Sequence, residues 1–109
     1  MKFKMNNLDW TIKEIKQDEF WKDDKKEKDN NTFFFGRTKY DIQEIWIDEN
    51  LTKEQKRKIL YHELLHCYKG SYIAFCNLDN QEEELWCDLT ANSHDIIHDI
   101  VEKYFKEVK

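Results

Sequence analysis

The spacing of apolar residues changes once along this chain of 109 residues, close to residue 50. Before that point apolar residues alternate with polar ones, as Leu8, Trp10 and Ile12 do, and a period of two is typical of a half-buried strand. After Thr52 they recur at intervals of three and four, which is the period of a helix with one buried face. This change predicts an α+β domain in which a sheet from the first half packs on two or three helices from the second.

The first half contains three segments with strand-like patterns, and we expect them to form a small antiparallel sheet. They comprise residues 8–15, 32–36 and 40–48. Neither face of the third segment is cleanly polar, so we expect it to be partly covered on both sides. Residues 17–31 are mostly charged and predict a solvated turn, in which Phe20 and Trp21 anchor one short helical turn.

The second half predicts two longer helices joined by a loop. Thr52 and Gln55 form a capping-box pattern at the start of the first helix, and Gly70 is placed as a left-handed stop at its end. A loop over residues 71–80 follows. The polar patch at residues 92–95 predicts a kink, a cap between two helices or one solvated turn within the second helical region.

The charge and the lengths of the apolar runs argue against some classes of function. Lys and Arg number 18 and Asp and Glu number 23, and a net charge of −5 does not favour binding to the phosphates of nucleic acids. No apolar run approaches the roughly 18 residues of a membrane span, and the first residues lack the apolar core of a signal peptide. We therefore expect one cytoplasmic domain over residues 1–109. Its cysteines are expected to be reduced and packed as small apolar side chains; they are Cys67, Cys76 and Cys87.

The segment His62-Glu63-Leu64-Leu65-His66 is an HExxH pattern inside the first predicted helix. Residues four apart lie one turn apart on the same helical face, so both imidazoles can reach one zinc ion at about 2.0–2.1 Å. Glu63 lies about 100° around the helix from His62. It is therefore better placed to take a proton from a water at the ion than to bind the ion itself. The pattern predicts a catalytic zinc site with Glu63 as its base.

A catalytic zinc needs a third protein ligand, and the second predicted helix offers one. Glu84 and Asp88 are spaced four apart, so side-by-side packing of the helices would let Glu84 complete a His-His-Glu set. Asp88 could then accept a hydrogen bond from the free ring N–H of a ligand histidine. Glu82 and Glu83 are alternatives to Glu84, and all three also suit the first turn of a helix because its dipole favours acidic residues.

Two further groups of residues carry potential chemistry. His94 and His98 are also four apart, so a second metal site is conceivable, although a polar helix face is the simpler interpretation. Tyr61, Tyr68 and Tyr72 can each offer a phenol to a developing oxyanion. Tyr72 is the most mobile of the three candidates, because it is expected in the loop between the helices.

Several of these segments together resemble the ImmA/IrrE family of zinc metallopeptidases, which occur in phages, integrative elements and their bacterial hosts. The resemblance rests on the strand at residues 45–48, the HExxH helix, and the pattern over residues 84–91. In the second helix the family has Ala, Asn and Phe where this chain has Cys87, Asp88 and Thr90. Asp in place of Asn keeps a hydrogen-bond acceptor at that position.

The resemblance implies a zincin-like fold with HExxH on the central helix, zinc bound by His62, His66 and Glu84, and Glu63 as the catalytic base. It also implies a zinc metalloendopeptidase of narrow specificity, whose protein substrate is a helix-turn-helix repressor or a similar regulator. The alternative is a non-catalytic zinc-binding regulator on the same fold. The small size of the chain favours this alternative, because it leaves little surface for a substrate cleft.

Overall fold

The structure is a computed structural model that describes residues 1–23, 35–72 and 82–107, apart from the side chains of residues 82–88 and 91. Within these ranges the chain forms four strands and three helices, which confirms the α+β class. In chain order they are β1 (Lys2–Met5), β2 (Leu8–Ile15), α1 (Gln17–Asp23), β3 (Gly36–Lys39), β4 (Glu44–Asp48), α2 (Lys53–Tyr72) and α3 (Glu82–Glu107).

The sheet is mixed and has the strand order β1-β2-β4-β3. β1 pairs with β2 and β3 pairs with β4 in antiparallel fashion, whereas β2 and β4 run parallel, with Ile12 opposite Ile45. The predicted sheet of about three antiparallel strands was therefore wrong in the number of strands and in the direction of the central β2–β4 pair. Alternating apolar residues reveal a strand but carry no information about its neighbour, and β1 is only four residues long.

Two of the predicted strand boundaries also differ from the structure. Residues 40–43 form a turn, and β4 begins directly after it because Gln43 adopts a left-handed φ of 55° that ends any extended run. Of the strand expected at residues 32–36, the structure shows Gly36 as the first residue of β3, while residues 32–34 lie outside the described ranges.

α2 begins as predicted but ends later. The capping box is confirmed, because the Thr52 amide donates to Gln55 Oε1 at 2.9 Å and the Gln55 amide donates to Thr52 Oγ1 at 3.2 Å. The predicted stop at Gly70 was wrong, because α2 continues to Tyr72 and no described glycine has a positive φ. Gly70 instead makes room for the ring of Tyr40, which a Cβ atom at this position would overlap.

α3 is one helix throughout, so the polar patch at residues 92–95 does not divide it. Ser93 within this patch is buried, and its hydroxyl donates to the Leu89 carbonyl at 2.5 Å, which satisfies the hydroxyl inside the helix. Neither α3 nor any other helix in the described ranges is long and apolar enough to cross a membrane. Residues 73–80 of the predicted loop lie outside the described ranges.

Helices cover both faces of the sheet, as the pattern of the third predicted strand indicated. On one face Ile45 and Ile47 are fully buried in a core cluster with Leu64 of α2 and several residues of α3. On the other face Phe20 of α1 packs edge-on against Trp46 of β4, with ring centroids 5.8 Å apart. The short helical turn expected around Phe20 is thus confirmed as α1.

Cys67 is a free thiol fully buried in the core. Burial raises the pKa of this thiol to about 12, so it is protonated near neutral pH and packs as a small apolar side chain, as predicted. Cys76 lies outside the described residues, as does the side chain of Cys87.

Glu14 of β2 joins the sheet to both long helices. Its carboxylate accepts a hydrogen bond from Lys56 Nζ at 2.7 Å and another from the Tyr104 hydroxyl. Burial by itself would raise the pKa of Glu14, but the two hydrogen bonds and the positive charge of Lys56 outweigh it and hold the pKa below its ordinary value. The network therefore stabilises the charged form of Glu14.

The lowered pKa of Glu14 predicts a dependence of stability on pH. Such a carboxyl stabilises the fold above its unfolded pKa, and the contribution is lost as the pH falls through the folded value. We expect Glu14→Gln to lower the free energy of unfolding by about 1–2 kcal/mol at pH 7, and by less at pH 3. Urea denaturation at both pH values measures this.

The exposed pair of Asp99 and Lys103 on α3 provides a matched control. We expect Asp99→Asn to change the free energy of unfolding by less than about 0.5 kcal/mol at either pH, because exposed ion pairs contribute little. Equal losses for Glu14→Gln at pH 7 and pH 3 would contradict the proposed role of the carboxylate.

Candidate metal centre

The two histidines of the HExxH pattern converge on the solvent-facing side of α2. Both are exposed, their ring centroids are 4.8 Å apart, and their Nε2 atoms are separated by 3.2 Å. The one-turn spacing therefore brings the two nitrogens to a common point above the helix, as the sequence predicts for His62 and His66.

This separation matches what a shared zinc ion requires. Two nitrogens at about 2.0–2.1 Å from one ion with a tetrahedral angle between them lie about 3.3 Å apart. The observed 3.2 Å between Nε2 of His62 and Nε2 of His66 agrees with that value. The donor set, two imidazoles open to solvent, is also of the type that zinc prefers, so these residues fit the metal.

Glu63 follows His62 on α2 and is almost completely buried, with 9% of its side chain exposed. One carboxylate oxygen, Oε1, lies 2.8 Å from the Thr38 hydroxyl, which donates to it. The other oxygen, Oε2, lies 3.9 Å from Nε2 of His62. The carboxylate thus has one oxygen bonded to Thr38 of β3 and the other near His62.

β3 reaches Glu63 because Gly36 lets the strand approach α2 closely. A Cβ atom at Gly36 would lie 2.5 Å from Cγ2 of Ile59 and 3.1 Å from Cγ of Glu63, so any larger side chain would force strand and helix apart. In the sequence the only signal for this contact is that Gly36 is one of just two glycines in the chain.

Tyr40, in the turn after β3, is a second contact that the sequence did not reveal. Its hydroxyl donates to the backbone carbonyl of His66 at 2.6 Å. Burial, followed by the proximity of Cys67 and Glu63, raises the pKa of Tyr40, so the phenol stays protonated and remains a hydrogen-bond donor. This contact fixes the turn of α2 that carries the second histidine.

α2 and α3 lie side by side and antiparallel. The Arg57 guanidinium bonds to Glu102, and the Tyr61 hydroxyl lies 2.6 Å from Nδ1 of His98. Tyr61 lies one turn after Arg57 on α2, whereas its partner His98 lies about one turn before Glu102 on α3, so the two helices run in opposite directions. The two helices therefore have the side-by-side packing that a third ligand on α3 would require.

The register of the two helices separates Glu84 from the histidine pair. If the same register continues along both helices, His66 lies opposite the turn of α3 around Ser93. Glu84 precedes Ser93 by nine residues on α3. At 1.5 Å per residue, Glu84 therefore lies on the order of 14 Å along the helix axis from the turn opposite His66. The side chains of Glu84 and Asp88 lie outside the described residues, so their roles as ligand and hydrogen-bond partner stay predictions. Among the described side chains, no three His, Cys, Asp or Glu residues form a group that could hold a metal.

Tyr72 is the last residue of α2 and not part of a loop. Its hydroxyl accepts a hydrogen bond from the Asn6 amide at 2.9 Å, and its ring centroid lies 4.7 Å from that of Tyr68. These contacts tie Tyr72 to the turn between β1 and β2, six residues beyond His66 on the helix. The expected loop position was wrong, while its role as an oxyanion stabiliser stays a prediction.

His94 and His98 form a second pair on the exposed side of α3. Their rings are stacked with an interplanar angle of 5° and centroids 5.8 Å apart. Nδ1 of His98 is engaged by the Tyr61 hydroxyl, and Nδ1 of His94 lies 3.4 Å from Oδ1 of Asp95. The surroundings are those of a polar helix face, which was the simpler interpretation of this spacing.

Comparison with known proteins adds nothing to this geometry, since no protein-family model, curated protein or solved structure matches the chain. Its function is therefore inferred from the chemistry of the residues and their positions.

The histidine pair predicts that zinc binding stabilises the fold. Zinc at 100 times its dissociation constant should raise the free energy of unfolding by about 2.7 kcal/mol. We expect His62→Ala to abolish this gain and His94→Ala to preserve it. Thermal unfolding of untagged protein with zinc and with a chelator measures both, and a gain that survives in His62→Ala would contradict the site.

The third ligand can be identified by zinc affinity. We expect Glu84→Gln to weaken zinc binding by more than the 10–100-fold typical of an outer-shell partner, and Asp88→Asn to weaken it within about that range. Competition with a chromogenic chelator measures the affinities. Glu82→Gln and Glu83→Gln are matched controls. If one of them weakens zinc binding while Glu84→Gln does not, the third ligand is that residue and not Glu84.

Proposed function

We propose that this chain is a zinc-dependent metalloendopeptidase of narrow specificity, with a zincin-like site resembling that of the ImmA/IrrE family. One observation carries the proposal: two exposed imidazole nitrogens lie 3.2 Å apart, and one of them, Nε2 of His62, is 3.9 Å from the buried carboxylate of Glu63. A structural role for the three residues would not require the histidines to be open to solvent.

His62 and His66 would hold the metal. Glu84 stays the predicted third ligand, a role that requires the first turns of α3 to come closer to the histidines than the register of the two helices places them. Zinc, when bound, would supply a Lewis acid that lowers the pKa of a water ligand and polarises a peptide carbonyl. The exposure of both histidines leaves access for a substrate from the solvent side.

Glu63 is the general base in this proposal. Its Oε2, which lies near His62, takes the proton of the attacking water, while Oε1 stays bonded to Thr38. The same carboxyl group then returns the proton to the leaving amine nitrogen, which completes peptide cleavage without a second acid.

The substrate is proposed to be a protein, with a helix-turn-helix repressor as the class suggested by the family resemblance. An extended peptide can pair with a free strand edge. In the described sheet β4 lies between β2 and β3, so both of its edges are already paired. Among the described strands β3 borders Glu63 through Thr38, so a substrate segment held beside β3 would lie next to the candidate base.

A non-catalytic zinc-binding regulator is the second candidate function. The register of α2 and α3, which leaves Glu84 about 14 Å along the axis from the turn opposite His66, favours it. Two histidines alone bind zinc less firmly than a complete catalytic set, and a partner protein could then supply the remaining ligand.

Glu63→Gln separates the two candidates. We expect this variant to bind zinc like the parent chain but to cleave, about 10²–10⁴-fold more slowly, a helix-turn-helix repressor that the parent chain cleaves. Cleavage is measured by the appearance of a clipped repressor on mixing the purified proteins with zinc. Glu54→Gln, an exposed residue in the first turn of α2, is the control and should cleave normally.

Two outcomes would count against catalysis by Glu63. Full cleavage by Glu63→Gln would mean that another group is the base. An intact repressor after incubation with the zinc-loaded parent chain, combined with stable complex formation, would support the non-catalytic candidate.

A further inference from the structure

We propose that Thr38 is a positioning residue that holds the carboxylate of Glu63 and selects which of its oxygens acts as the base. The inference rests on the proposed function, since it assigns a role within that reaction. The Thr38 side chain would contact neither the metal nor the reacting atoms, and would act only through Glu63.

The geometry centres on a single hydroxyl group. Thr38 Oγ1 lies 2.8 Å from Oε1 of Glu63 and 3.0 Å from the backbone carbonyl oxygen of the same residue. The hydroxyl has one hydrogen, so it donates to one of these oxygens at a time, and both belong to the helical residue that it restrains. A charged acceptor makes the stronger hydrogen bond, so the carboxylate is the favoured partner.

The hydroxyl is itself held rigidly. Thr38 pairs with Ile45 in the antiparallel ladder between β3 and β4, which fixes its backbone. Its β-branched side chain restricts rotation about χ1, so the hydroxyl has little freedom to turn away from α2. Two residues earlier, Gly36 allows the strand to approach Glu63 Cγ within the distance that this hydrogen bond requires.

A buried carboxylate needs such a partner. Only 9% of the Glu63 side chain is exposed, so solvent cannot satisfy both oxygens. Because Thr38 occupies Oε1, the oxygen left for proton transfer is Oε2, which is the one 3.9 Å from His62 Nε2. Without the Thr38 hydroxyl, the Glu63 carboxylate would be free to rotate, and Oε2 would no longer be held in one position.

The catalytic test compares Thr38→Val, which has a similar shape but no hydroxyl, with Thr38→Ser, which keeps the hydroxyl. On the zinc-loaded full chain cleaving the repressor, we expect Thr38→Val to lower kcat by about 10–100-fold with little change in KM. Thr38→Ser should restore most of kcat. Competition with a chelator should show the same zinc affinity for the parent chain, Thr38→Val and Thr38→Ser, because neither Thr38 nor Glu63 is a proposed zinc ligand.

A second readout needs neither zinc nor substrate. In metal-free protein, Thr38→Val should lower the urea midpoint, because it leaves the buried Glu63 carboxylate without its donor. In a Glu63→Met background that carboxylate is gone, and the same Thr38→Val change should shift the midpoint much less. The double-mutant cycle thus measures the contact directly.

The outcomes distinguish this inference from the proposed function. Parental kcat in Thr38→Val, or equal midpoint shifts in both backgrounds, would overturn the positioning role while Glu63-dependent cleavage still stood. If the parent chain cleaves nothing, the proposed function fails and the catalytic role of Thr38 fails with it. A measured coupling would then show only that the hydroxyl and the carboxylate interact.

Discussion

The close contact between β3 and α2 is the constraint on which the candidate site depends. Gly36 brings the strand against Ile59 and Glu63, and the same strand carries the hydroxyl that bonds to the Glu63 carboxylate. Without this approach, a carboxylate on a helix beside two exposed histidines would turn toward solvent. The contact therefore orients the Glu63 carboxylate beside His62, and it links β3 of the sheet to the candidate site.

The parts of the structure that the sequence predicted are those governed by local interactions. The capping box at Thr52 and Gln55 involves groups three residues apart, and the convergence of His62 and His66 follows from one helical turn. The strand β2 carries alternating apolar residues at Leu8, Trp10 and Ile12. Each of these features is fixed by neighbours along the chain, so a single sequence contains enough information to place it.

The parts that were missed depend on contacts between distant segments. The parallel pairing of β2 with β4, the packing of Tyr40 on Gly70 and the hydrogen bond from Thr38 to Glu63 each join separate elements. Gly70 shows the difficulty well, because a glycine near a helix end suits both a left-handed stop and a close approach. For the same reason, the distance between Glu84 and the histidines depends on the register of two helices, which the spacing of residues within each helix does not determine.

The parallel pair in the middle of the sheet also has a consequence for the order of folding. The β1–β2 hairpin and α2 need only nearby residues, so they can form on the microsecond scale of such elements. Pairing Ile12 with Ile45 must wait until the whole intervening segment has closed a loop, and that loss of chain entropy makes it a late step. During synthesis, a nascent chain that ends before β4 would expose the unpaired inner edge of β2. This exposed edge would favour association with other chains until β4 is synthesised and pairs with it.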